Sequence, residues 1–134
     1  WTYQISGPGT SPDLGESSIV SAAYARGRLF VAGARTTDGY QGAIAALDPT
    51  TGSQLWKMHP DGFVLPALSA VGEVIVAAVS RSADKTGAIY VLEQTTGNVL
   101  YTFPTANRLF AQPTWANGML YVVDDVGTLF ALRP

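Results

Sequence analysis

The sequence predicts an all-β chain of about three four-stranded antiparallel units, arranged as the blades of a propeller. Three observations lead there. Short runs of β-branched and aromatic residues are bounded by Gly, Asn, Asp or Pro, with little 3.6-residue periodicity. One phrase recurs: Gly27-Arg28-Leu29-Phe30-Val31, Gly72-Glu73-Val74-Ile75-Val76 and Gly118-Met119-Leu120-Tyr121-Val122 begin 45 and then 46 residues apart. A second phrase follows each of them. Gly42-Ala43-Ile44-Ala45-Ala46-Leu47, Gly87-Ala88-Ile89-Tyr90-Val91-Leu92 and Gly127-Thr128-Leu129-Phe130-Ala131-Leu132 begin 45 and then 40 apart, the last interval shortened by a trimmed loop. A period of about 40 to 50 residues holding four strands is the pattern of a propeller blade. A sandwich or closed barrel does not require one four-strand unit to be repeated.

The elements follow in order. Residues 1–5 read as an outer strand, and residues 6–18, rich in Gly, Pro and Ser, as a long connection without packing periodicity. Within a single domain, 1–134, the units span approximately 19–63, 64–107 and 108–134, and strand 1–5 completes the last of them. In the middle unit the four strands are expected near 64–69, 73–79, 88–93 and 99–103. Three blades cannot close a ring of the usual 4 to 8. An open arc exposes apolar blade faces and unpaired edges. With Trp1 in place of an initiating Met, the expectation is a section of a longer chain, or a unit that completes its ring by homo-oligomerisation.

Composition narrows the function. The 134 residues carry 10 acidic and 8 basic groups, a net charge of −2, which disfavours a nucleic-acid partner. The absence of cysteine excludes disulfides, thiolate zinc sites, iron–sulfur clusters and cysteine nucleophiles, without fixing the redox compartment. No apolar run approaches the roughly 18 to 20 residues of a membrane-spanning helix.

The turns between strands three and four carry a family resemblance. Ala46-Leu47-Asp48-Pro49-Thr50-Thr51-Gly52-Ser53-Gln54-Leu55-Trp56 resembles the Ala-x-Asp-x-x-Thr-Gly-Lys-x-x-Trp docking motif of pyrroloquinoline-quinone-type propeller repeats, with Ser53 in place of the lysine. In the next unit Glu93, Thr96, Gly97 and Tyr101 stand at the motif's Asp, Thr, Gly and Trp positions, and Trp1 stands where a preceding unit's docking tryptophan belongs. An acid opening a tight turn accepts backbone N–H bonds, threonine does so more weakly, and glycine supplies positive φ. An aromatic four residues on is large enough to bridge to a neighbouring sheet. The resemblance implies an arc of a seven- or eight-bladed ring.

It does not by itself imply an activity. Enzymes of the family hold quinone and calcium on the ring axis beside a catalytic aspartate, often under a vicinal disulfide, and no position here matches that set. No cofactor, metal or catalytic residue is therefore expected. Non-catalytic relatives, envelope-assembly lipoproteins and sensor domains of bacterial kinases, imply a protein- or ligand-binding scaffold in the periplasm, envelope or exterior. The alternative is a fragment of a quinone-dependent dehydrogenase whose catalytic residues lie elsewhere.

Other chemistry is weakly signalled. Ser82-Ala83-Asp84-Lys85 spells a serine acyl-enzyme pair, but in a β-to-β loop rather than on the helical turn that mechanism needs. Gly7-Pro8-Gly9 lacks the lysine and helix of a phosphate cradle. His59 is the sole histidine and reads as decoration of the turn His59-Pro60-Asp61-Gly62. Adjacent Asp124 and Asp125 point to opposite faces of a strand and read as turn caps rather than calcium ligands. In such blades the loops after strands two and four emerge on one face. The long ones there make Arg35, Asp38, Tyr40, Arg81, Asp84 and Lys85 the candidate contacts for a protein partner.

Overall fold

The computed structural model describes residues 1–7 and 21–133. Strands β1 (Ala23–Ala25), β2 (Arg28–Ala34), β3 (Gly42–Leu47) and β4 (Gln54–Met58) form one antiparallel sheet in chain order. Strands β5 (Ser69–Val71), β6 (Val74–Ser80), β7 (Gly87–Glu93) and β8 (Val99–Thr105) repeat it, and β9 (Thr114–Ala116), β10 (Met119–Val123) and β11 (Leu129–Leu132) form a third, three-stranded sheet. The innermost strands follow one another, β1 touching β5 and β5 touching β9. All-β blades side by side are the architecture of a partial propeller. No helix among the described residues is long and apolar enough to cross a membrane.

Local chemistry explains the hairpins. Two-residue loops join β1 to β2 and β9 to β10, with positive φ at both residues: 49° and 73° at Arg26-Gly27, 51° and 72° at Asn117-Gly118. That is the turn whose twist suits a tight hairpin, and glycine adopts it without a Cβ clash.

The blades pack through period-two alternation. Ile75, Ala77 and Val79 of β6 join Phe30, Ile44 and Trp56 in the core between the first two sheets. Val76 and Ala78 turn the other way, to Ile89, Leu109, Leu120 and Val122. The inner strands β6 and β7 of the middle sheet are thus buried on both faces, which accounts for their unbroken apolar runs.

Two expectations are corrected. The first strand of the middle unit is Ser69–Val71 rather than 64–69. Val64 and Leu68 are buried as an apolar strand would require, but Pro66 offers no N–H to a ladder. Residues 1–5 form no strand and do not pair with β11. They lie against the first sheet: the Trp1 indole donates to Pro49 O at 3.2 Å and the Tyr3 hydroxyl to Gln54 Oε1 at 2.6 Å. Beyond residue 7 the connection 6–18, with Pro8 and Gly9, lies outside the described residues.

Candidate functional site

The loops after the second and fourth strands meet on one face, as the antiparallel order requires. Each inter-sheet connection is stitched to the end of the next sheet's second strand. Phe63 bridges Ser80, and Leu109 bridges Asp124. The Ser80 hydroxyl also donates to Leu109 O at 2.9 Å and accepts its N–H at 2.8 Å.

Ionic contacts repeat the pattern. Asp61 Oδ2 accepts from Arg81 at 2.9 Å (Nε) and 2.5 Å (Nη2), while its Oδ1 accepts the Tyr90 hydroxyl at 2.5 Å. Burial opposes ionisation of Asp61, but the Tyr90 and Arg81 hydrogen bonds win and hold it below the usual carboxylate range. Burial, then the bond to Asp61, pushes the Tyr90 phenol up. At the next junction Arg108 pairs with Asp125 at 3.0 Å. Asp124 takes the Asn107 amide at 2.9 Å and the backbone N–H groups of Val126 and Thr128 at 3.2 and 2.7 Å. Those bonds keep it below the carboxylate range against the effect of burial. The acidic pair is thus spent on donors within the fold.

The six candidate contacts divide. Arg81 also donates to Gly87 O at 3.2 Å, and Asp84 caps Thr86 through its N–H at 3.0 Å and its hydroxyl at 2.7 Å. Both hold their loop in shape, and Ser82 and Lys85 lie in that loop rather than on a helix. Arg35, Tyr40 and Lys85 are exposed, Tyr40 to 53%. Arg35, Thr36, Gly39, Tyr40 and Gln41 line a shallow depression of about 330 Å³. Asp38 salt-bridges Lys57 at 3.1 Å and faces His59 Nε2 at 3.4 Å. The Thr36 hydroxyl first, then Lys57, lowers its pKa to about 2.

Lys57, His59 and Asp61 therefore belong to this face, which sequence reasoning missed. Their signal was position, at the end of the fourth strand and in the connection leaving it. His59 corrects the reading of turn decoration: its ring stacks on Tyr40 with centroids 3.8 Å apart and planes 15° apart, and Nδ1 donates to Gly42 O at 3.0 Å.

On the opposite face, Asp48 Oδ1 accepts the N–H groups of Thr50 and Thr51 at 2.8 and 2.9 Å, and these bonds lower its pKa. The Thr51 and Thr96 hydroxyls accept from Ser53 N and Asn98 N. Thr96 also donates to Glu93. Trp56, packed among Phe30 and Ala46, donates to Gln94 O at 2.9 Å and covers Gly97, where an added Cβ would come within 2.6 Å of its ring. Trp1 covers Gly52 in the same way. Tyr101 is exposed.

The inner strands line a second hollow of about 410 Å³, bordered by Tyr24, Ser69, Ala70, Gln112, Thr114 and Trp115. It carries no charged side chain. Among the described residues no three His, Cys, Asp or Glu converge on a metal position.

Comparison with known proteins follows the fold. The family model of the outer membrane protein assembly factor BamB matches residues 1–86 and 40–133. No protein with a curated description matches the sequence. The structure of BamB from Moraxella catarrhalis superposes with a TM-score of 0.67 at 18% identity, covering 87% of this chain and 37% of that one. A europium-containing methanol dehydrogenase gives 0.52 at 31% identity over 61% of this chain and 14% of its own. A quinohemoprotein alcohol dehydrogenase from Pseudomonas putida HK5 gives 0.62 at 14% identity, over 75% and 20%. The chain thus spans well under half of each of these structures.

Proposed function

The chain belongs to the family of the outer membrane protein assembly factor BamB, and from that premise we propose that it is a non-catalytic propeller segment that binds a protein partner through its loop face, within a bacterial envelope or exported protein. The observation that carries the reading is the construction of that face. Ion pairs and backbone bridges brace the loops, while Arg35, Tyr40 and Lys85 remain exposed on the braced support. Exposed aromatic and cationic side chains on a rigid platform are the usual anchors of an interface. We infer that further blades of the same repeat complete the ring, since the chain covers 37% of the BamB structure it superposes on. Asp48, Thr51 and Gly52 shape the docking turn that receives Trp1, and their counterparts around Gly97 receive Trp56.

Site-specific photo-crosslinking in the parent protein tests this. A crosslinker replacing Tyr40 is expected to give one dominant adduct that Lys85→Glu weakens, and one replacing rim-exposed Leu55 is expected to give none. Equal labelling from both positions would overturn the reading.

A second reading rests on the 31% identity to the europium-containing methanol dehydrogenase: a fragment of a quinone-dependent dehydrogenase. Stoichiometric quinone and metal in the purified parent would establish it over the first.

A further inference from the structure

We propose that Asn117 is a self-modifying site: its side-chain amide is lost to attack by the Gly118 nitrogen, and the isoaspartyl link that results opens the innermost hairpin of the third sheet. Asparagine before glycine is the pair in which this attack meets least hindrance, because glycine has no Cβ beside the attacking nitrogen. The sequence holds three asparagines, at 98, 107 and 117, and Asn117 alone precedes glycine. Two aspartates also precede glycine, in Asp38-Gly39 and Asp61-Gly62.

The surroundings of these sites differ. Asn117 and Gly118 are both exposed, and a Cβ at Gly118 would meet nothing within 4 Å. Among the described residues neither the Asn117 side chain nor the Gly118 N–H has a hydrogen-bond partner. Gly39 N, by contrast, donates to Thr36 O at 3.1 Å. The aspartates are held as carboxylates, which resist such attack: Asp38 by the Thr36 hydroxyl and Lys57, Asp61 by Tyr90 and Arg81. Gly62 is wedged where a Cβ would come within 2.4 Å of Ser80 O. Asn98 precedes the branched Val99 and its N–H is tied to Thr96, while Asn107 gives its amide to Asp124 at 2.9 Å.

The reaction needs only water. Gly118 N bonds to Asn117 Cγ, the Cγ–Nδ2 bond breaks, and the amide leaves as ammonia with the proton from Gly118 N, closing a cyclic imide. Water then opens the imide. Opening at Cγ leaves aspartate, whereas opening at the main-chain carbonyl leaves isoaspartate, whose backbone runs through Cβ and is longer by a methylene.

That methylene falls in the β9–β10 loop, which consists of Asn117 and Gly118 alone, with φ of 51° and 72°. A loop so short sets the pairing of Ala116 with Met119, Trp115 with Leu120 and Thr114 with Tyr121, and a longer backbone there does not preserve it. Trp115 packs against the core between the second and third sheets and borders the inner hollow, so both loosen with β9. The counterpart loops, Arg26-Gly27 and Gly72-Glu73, carry no amide, which confines the change to the third sheet.

Peptide mapping of the parent protein, aged at neutral and at mildly alkaline pH and digested in acid to halt the reaction, tests this. The peptide holding Asn117 is expected to gain the mass difference between an amide and a carboxylic acid, with isoaspartate exceeding aspartate. The gain is expected to be faster at the higher pH, because the attacking nitrogen must shed its proton. Peptides holding Asn98, Asn107, Asp38 and Asp61 are expected to stay unchanged over the same time, and Asn117→Gln to abolish the gain. In the aged protein, amide exchange across residues 114–121 is expected to quicken severalfold. No conversion at Asn117, aspartate as its sole product, equal conversion at Asn98 or Asn107, or unchanged exchange in the isoaspartyl form would overturn the proposal.

Discussion

Gly97 shows how one missing side chain joins two blades. Its φ of 76° and the Trp56 ring above it make two separate demands, whereas Gly127, at φ 88°, has nothing within 4 Å of an added Cβ. Gly127→Ala is expected to lose only the backbone term, about 1–2 kcal/mol. Gly97→Ala must also displace the indole from its bond to Gln94 O and lose more. Urea midpoints of the two variants separate the effects, and equal losses would mean that Trp56 does not depend on that contact. Asp61 supplies the pH dependence at this scale. Its folded pKa is lowered, so its stabilising contribution is present above the ordinary carboxylate range and lost as pH falls through the folded value. Stability is expected to decline toward acid, less steeply in Asp61→Asn, as urea midpoints between pH 6 and 3 measure. Tyr90 acts in the opposite sense, its contribution fading only above the ordinary phenol range. Asp48, Thr51 and Gly52 were legible because a turn motif is local in sequence. The pairing of Asp61 with Arg81 across 20 residues and of Asp38 with His59 was not, because no local pattern encodes which connection meets which loop.

At the scale of elements, the hairpins were legible where glycine marks a fixed backbone shape. The Arg26-Gly27 turn has the same positive φ pair as Asn117-Gly118, yet places arginine at the first position. Asparagine tolerates that region better. Arg26→Asn is therefore expected to stabilise by about 0.5–1 kcal/mol, reduced by loss of the exposed Arg26–Glu73 pair at 3.3 Å. A thermal midpoint that falls would show that the ion pair outweighs the backbone gain. The strand expected at 64–69 failed because apolar burial and ladder pairing are different requirements. Val64 and Leu68 meet the first, while the chain around Pro66 runs as a buried connection and pairing begins only at Ser69.

For the whole molecule, the arc leaves apolar side chains uncovered, with Val126 in the β10–β11 turn at 68% exposure, Leu129 on the third sheet at 61% and Tyr101 on β8 at 59%. Such surfaces drive association. The isolated 134-residue chain is expected to show a mass above that of one copy, rising with concentration, in light scattering after size exclusion. A monomer over the full range would mean that the exposed surface is tolerated in water. What the sequence determined by itself was the unit: its period, its strand order and its turns, because strand alternation and glycine-dependent turns are specified within a few neighbouring residues. Only the tertiary structure decided which loop is braced and which is presented, that His59 faces Asp38 and Tyr40, and that residues 1–7 dock on the first sheet. Those contacts join residues far apart in sequence, and they exist only once packed sheets bring the loops onto one face.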